Sequence, residues 1–599
     1  MMRRAMMIQR GGGARRGGVT RTMTVPAPVR GLNARDSIAE MGPTDAVTLD
    51  NFVPGTSDVS LRLGYRSWAS GLSGAVETLM SYRSTVANRM FAIAGGGIYD
   101  VTNLGPVGAP VLTGLSNSRW QWVNFGTPGG QFLLAVNGAD AMRVYNGTAW
   151  STLGLGTGAA ISAISFVGTT ATVTTASPHG LSPGNTVTVT GASPAAYNVS
   201  GVAITIVSPT QFSYTMGSTP ASNATVVGAY SYALAVTGFD TSKAIQINAF
   251  GQRIWLVEKN SFRVWYLAIQ SIAGPATSLD LSSLFRLGGA LAGMLTWTVA
   301  GQTVTQQYAV FISTQGEVVI YSGYDPASSA TWSLVGSARI GAPVGNRFWT
   351  RIGTDVVLIC ADGFVPLAQV LQLDRKNNAD AISNRIVNAA NQAVQSYSAN
   401  FGWQVALHPT GNKLIVNVPL VDGGSAIQYV MNTITGAWCS YSGLNANCWE
   451  ATQSGLFFGG AGKVYQAEYG HDDDGRSILG TMKPAFNSFG APGRNKRFTQ
   501  IRPIIVGAGN PAIQIDLTVD FADPEPTTTP QVSSRDPFPQ WNATPWNSAR
   551  WVPITQVISH WQAAPGIGIA AAARMMVNVK GSPLAFEALT YAFEVGGLF

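Results

Sequence analysis

Charge is scarce in this chain. Asp, Glu, Lys and Arg make up only 11% of its 599 residues, less than half the usual globular share. A surface this poor in charge is commonly covered by neighbouring subunits instead of water. Acids are missing altogether from residues 1–35, which carry Arg3, Arg4, Arg10, Arg15, Arg16, Arg21, Arg30 and Arg35. Of 37 Lys and Arg, those eight leave 29 to face 30 acids, so the body is close to neutral at −1. The pI of 9.3 therefore describes an arm and does not imply a basic DNA-binding surface on the folded domains.

Cysteine is nearly absent. Cys360, Cys439 and Cys448 make neither a disulfide framework nor a Cys-x-x-Cys zinc pair, as expected for folding in a reducing cytosol. No apolar stretch reaches 18 residues, so no membrane-spanning helix is expected. The basic N-terminus lacks an apolar core after it and does not read as a signal peptide.

Catalytic signatures are equally sparse. His179, His408, His471 and His560 are scattered and form no HExxH pair, and neither a GxSxG elbow nor a P-loop occurs. Glycosidases need two placed carboxylates, and 30 acids can supply such a pair without leaving a spacing signature. His179 reads as a turn residue before Gly180. Asp325 and Asp362 read as turn acceptors. HDDDGR at 471–476 lacks calcium-loop spacing and reads as an exposed turn. The expectation is a non-enzyme with no metal and no cofactor.

What the chain has is hairpins. NRMFAIAGGGIYDVTN at 88–103 is an apolar run, a glycine turn and a second run, the pattern of a β-hairpin. The same phrase recurs at 131–150, 252–267, 308–323, 355–369 and 456–470, with a longer version at 413–443. One hairpin cannot bury its own apolar face, so seven point to a β-propeller whose blades pack on one another. Two stacked β-sandwich domains fit the same phrases. The fold class expected is mainly β: a propeller of repeated hairpins, an inserted small β-barrel or sandwich, and a C-terminal β domain.

Taken in order, residues 1–35 form the Gly/Arg arm. It is either a disordered tail or an arm that orders on a partner subunit or nucleic acid through arginine contacts. Residues 36–75 form a platform segment with a short helix near 43–51, started by Pro43, Thr44 and Asp45. The propeller takes 76–155 and 236–470. Thr- and Val-rich, almost uncharged chain at 156–235 forms the inserted module. A helix is expected at 378–398, where Ile382, Ile386, Ala389, Ala390 and Val394 share a face. Residues 471–599 form the C-terminal domain. There Trp541, Trp546 and Trp551 are candidates for packing or for stacking on a glycan.

The order of motifs near the N-terminus carries a resemblance. Pro28, Gly31, Leu32 and Asn33 are followed by Asp45, Ala46, Leu49, Asn51, Phe52 and Pro54, then by Val59, Arg62, Gly64 and Tyr65. This looks like the start of the tail nozzle (tail tubular B-type) and packaged-DNA stabilisation proteins of short-tailed bacteriophages. Similar stretches follow at 316–347, 361–371, the helix after them, 489–505 and 541–551. The inserted module, with PHGL at 178–181, resembles small β modules found in phage tail proteins.

The resemblance implies a structural virion protein of the tail, made and assembled in the host bacterial cytoplasm. It implies a ring, commonly a homohexamer, below the portal–adaptor proteins and near tail fibres or spikes. Such a ring lines and closes the exit channel for viral double-stranded DNA and supports genome retention and ejection. A low-charge body suits sliding DNA, since clustered Lys and Arg hold phosphates strongly. The arm, with Arg3, Arg4, Arg10, Arg15, Arg16 and Arg21, would contact the adaptor or a neighbouring subunit. The alternative is a glycan- or receptor-binding tail propeller. A hydrolase acting on cell-wall glycan is the third reading.

Overall fold

The computed structural model describes residues 20–152, 154–300, 305–368, 382–508, 511–526, 528–534 and 556–598. Arg3, Arg4, Arg10, Arg15, Arg16, Trp541, Trp546 and Trp551 lie outside them. The fold is mainly β, 56% strand and 5% helical, with a four-blade propeller-like arrangement and curled half-barrels. It divides into two units, Arg62–Arg476 and the pair of segments Met1–Leu61 and Ser477–Phe599.

All seven hairpin phrases are hairpins. Arg89–Ala94 pairs with Gly97–Asp100, Gly130–Val136 with Arg143–Tyr145, and Arg253–Glu258 with Arg263–Tyr266. Thr305–Ser313 pairs with Glu317–Gly323, and Asp355–Cys360 with Gly363–Pro366. Lys413–Pro419 pairs with Ala426–Asn432, and Gly455–Gly459 with Ala461–Ala467. In each case the phrase supplies the second and third strands of an antiparallel sheet. The first strand precedes it: Gln121–Thr127, Ala244–Phe250, Leu291–Ala300, Trp349–Ile352, Gln404–His408 and Cys448–Thr452.

The period of two along a strand explains how these sheets pack. Leu133 and Ala135 face a cluster with Phe91, Ile93 and Trp120. The alternate residues Phe132, Leu134 and Val136 face a second cluster with Ile254 and Leu256. Trp255 and Val257, on the other face of that next strand, join Phe311 and Trp332 in a third. A second strand is thus buried on both faces, which is why it reads as a continuous apolar run instead of an alternating one.

The strand Tyr65–Tyr82 closes the larger unit. Its first half pairs with Ala461–Ala467, from Tyr65 opposite Ala467 to Ala75 opposite Ala461. Its second half pairs with Arg89–Ala94. The strand turns between its two sheets at Gly71 and Gly74, which have φ of +89° and +90°. Few residues other than glycine accept that backbone.

Within this unit, 154–234 forms its own sheet of seven strands around Val173, Val187, Phe212, Tyr214 and Tyr230. His179 is structural there. Its Nδ1 accepts from Leu181 N at 3.0 Å and its Nε2 bonds Ser208 O at 2.8 Å. Burial lowers its pKa. The helix runs as a 3-10 turn Asn384–Ile386 and an α-helix Val387–Tyr397, burying Ile386, Ala390, Ala393 and Val394.

The smaller unit has two curled sheets. One centres on Arg494–Gly507 and Leu584–Leu598, with Thr20–Pro26 along it. Arg21 sits on that strand, exposed, opposite Phe593. The other centres on Ala571–Lys580 between Ile478–Pro484 and Ile513–Val519. The helix expected near 43–51 is a strand, Asp45–Asp50, paired with Ile478–Pro484. Asp45 bonds backward along the chain. Its carboxylate takes Asn33 Nδ2 at 2.9 Å and the N–H of Gly42, three residues back, at 3.1 Å.

Candidate functional site

The resemblance residues sit where their chemistry is used for packing. Asn33, Asp45, Asn51 and Arg62 are all at most 2% exposed. Asn51 holds a φ of +58°, which asparagine tolerates better than most residues, and donates to Leu479 O at 2.8 Å. Arg62 grips Asp473 with both guanidinium nitrogens, Nη1 at 2.8 Å and Nη2 at 2.6 Å, and donates to Ser442 O at 3.0 Å. Two residues on, a Cβ on Gly64 would fall 1.8 Å from the Asp472 carbonyl oxygen. HDDDGR is therefore only partly an exposed turn: Asp473 is 6% exposed and clasps the strand that closes the unit. Burial pushes the Asp473 carboxyl up, against the opposing pull of Arg62.

Five of the six first strands, all but Leu291–Ala300, contribute to the lining of a cavity of ≈ 290 Å³ in the larger unit. Leu79 of the strand Tyr65–Tyr82 lines it, with residues of Gln121–Thr127, Ala244–Phe250, Trp349–Ile352, Gln404–His408 and Cys448–Thr452. The edges of first strands that face this space have no further strand to pair with, so side chains bond their backbone instead. Trp122 Nε1 donates to Leu79 O at 3.0 Å and Asn124 Nδ2 to Ser81 O at 2.8 Å. Gln404 serves Trp449 twice, donating to its carbonyl at 2.7 Å and accepting from its N–H at 2.9 Å. Gln246 Oε1 accepts from Met294 N. Arg347 reaches farther: its Nη2 donates to Glu77 O, Thr78 Oγ1 and Trp120 O at 3.0, 2.7 and 3.1 Å. Burial lowers its pKa.

Glu450 is the carboxyl of this cavity, 9% exposed. Ser81 Oγ donates to its Oε1 at 2.7 Å, and Arg83 Nη2 approaches the same oxygen at 3.4 Å. Burial pushes its pKa up to about 7, although Ser81, Arg83 and Arg347 all pull it down. At neutral pH it can give or take a proton, but a lone carboxyl makes no pair. No sequence signal marked Glu450, Gln404 or Gln246: each is a single polar residue in a short strand.

Among the described residues, no group of three His, Cys, Asp or Glu could hold a metal ion. No helix among them is long and apolar enough to cross a membrane, which leaves β-barrels unaddressed. The three cysteines are buried and unpaired.

No family model matches the sequence, and no curated protein matches it. Among solved structures, the chain is similar to the computationally designed Ika8 protein, with 13% identity over 67% of this chain and 99% of the other, at a TM-score of 0.33. A structure of YCF48 bound to D1 peptide matches with 8% identity over 68% of this chain and 97% of the other, at a TM-score of 0.25. At these scores neither likeness carries an argument about function.

Proposed function

We propose that this chain is a structural protein of a phage tail, assembling with copies of itself into a ring that lines and closes a DNA exit channel. The observation that carries the reading is the ordered N-terminal motif, from Pro28 to Tyr65. Its polar members Asn33, Asp45, Asn51 and Arg62 are buried and hold strands in place. A motif spent on packing speaks for common architecture, and the function follows from it by analogy. The cavity inside one chain, ≈ 290 Å³, is far too small for a duplex whose major groove alone is ~12 Å wide. A conduit would have to lie between copies, so the reading requires an oligomer.

Native mass spectrometry of the full chain tests it. The expected result is a closed ring, six copies by the resemblance, with matching density below the portal–adaptor complex in cryo-EM of particles. A monomer at micromolar concentration, with no tail density, overturns it. A glycan-binding role is the second reading, and what favours it is the polar cavity.

A further inference from the structure

Two largely buried residues each present an unpartnered polar atom at the cavity. Glu450 is 9% exposed and its bonds go to Oε1. Its Oε2 has no partner among the described residues. Gln246 is 5% exposed and its one bond is accepted by Oε1, so its Nε2 donors are unused among those residues. Gln121, Asn346, Trp349 and Thr350 line the same space, their side chains also without partners among the described residues. These groups are open to the cavity, where a ligand or water can meet them.

We propose that this cavity is a binding site for one neutral pyranose ring, held by Glu450 and Gln246. The charges are already engaged. Arg83 is held by Glu450, Ser81 Oγ and Ala451 O, and Arg347 Nη2 by three oxygens. A further anion would meet the Glu450 carboxyl and a further cation the two guanidinium groups, each at a desolvation cost. The remaining groups mix donors with acceptors: indole N–H, primary amides, a hydroxyl and a carboxyl oxygen. Sugar hydroxyls both give and take hydrogen bonds and match that mixture. Trp122 and Trp349 add apolar wall for the C–H side of a ring. The volume, ≈ 290 Å³, is roughly ten times the ~30 Å³ share of a water molecule and just under the ~300 Å³ lower bound of ligand pockets. It is large enough for one ring.

The proposal does not rest on the tail-ring reading, and a monomeric chain would leave it intact. Saturation-transfer NMR of the full chain with D-glucose, D-galactose, D-mannose, L-rhamnose and N-acetyl-D-glucosamine tests it. At least one sugar is expected to saturate at millimolar concentration. Glu450→Gln and Gln246→Leu are each expected to weaken it about tenfold, the worth of one hydrogen bond, while Trp561→Ala on the other unit leaves it unchanged. If Gln246→Leu does not fold, Gln121→Ala takes its place beside Glu450→Gln. Failure of all five sugars to bind means the cavity holds ordered water only and overturns the proposal. So does binding that survives the cavity substitutions.

Discussion

The second strands and the first strands of the larger unit are built on opposite rules. A second strand such as Arg253–Glu258 is buried on both faces, with Ile254 and Leu256 turned to one neighbour and Trp255 and Val257 to the other. A first strand such as Gln404–His408 has one edge on a polar cavity and spends a glutamine on the backbone of its neighbour. The second strands hold the sheets together by apolar area. The first strands set the spacing of the sheets by directed bonds. Stability and chemistry are therefore separated by a few ångströms within each sheet, and substitutions in the two places should behave differently.

The largest effect is expected from the second strands. Trp255 is fully buried and touches Tyr266, Phe311 and Trp332. Trp255→Ala should cost about 5 kcal/mol, the upper end for a large buried aromatic, read as a lower denaturant midpoint. A loss below ~1 kcal/mol would mean that the apolar faces do not carry the sheets.

Next comes the clasp where the two ends of the unit meet. Arg62→Ala leaves Asp473 buried without its cation, a change of about 3–4 kcal/mol. The double variant Arg62→Leu, Asp473→Leu should recover most of it, because the penalty lies in the orphaned charge. Thermal melts of the three proteins measure this. A double variant no better than the single one would place the role in the backbone contacts around Gly64 instead.

Glu450 brings pH into the comparison. Its pKa rises from the ordinary 4.5 to about 7, so the folded state keeps a proton that the unfolded state has released. Its contribution to stability is full below pH ~4.5, falls as pH climbs to ~7, and is constant above, for a total of about 3 kcal/mol at most. Glu450→Gln should remove that decline, so the variant gains on the wild type between pH 5 and 8. Parallel melting curves across that range would show equal slopes if the carboxyl were charged throughout.

Legibility in the sequence follows the same division. All seven hairpins were readable because burial on both faces leaves continuous apolar runs that end in glycine, asparagine or aspartate. The first strands were not, because QWVNFGT mixes amides with aromatics and QVALH is a short run opened by an amide, neither followed directly by the turn that marks a hairpin phrase. Asp45 was misread as a helix start because capping and turn-closing aspartates look alike in sequence, and only the fold, a strand whose Asp45 carboxylate takes the N–H of Gly42, tells them apart. Asp473 was misread among acidic neighbours because its partner lies 411 residues away. The cavity was invisible for the same reason: Glu450 and Gln246 meet only once the sheets are assembled.

The smallest effect sharpens the comparison most. Gln404→Leu keeps the volume but removes the bonds to both backbone groups of Trp449. Each lost partner costs about 1–3 kcal/mol when nothing replaces it. Here the site borders the cavity, where water can take over part of the pairing, so about 1–2 kcal/mol in total is expected. The denaturant slope should stay at the wild-type value, since no apolar surface is newly exposed. Gln404→Glu keeps an acceptor for the Trp449 N–H but has no donor for its carbonyl, and should fall between the two. A loss as large as that of Trp255→Ala would show that the directed bonds, and not the apolar faces, set the stability of the larger unit.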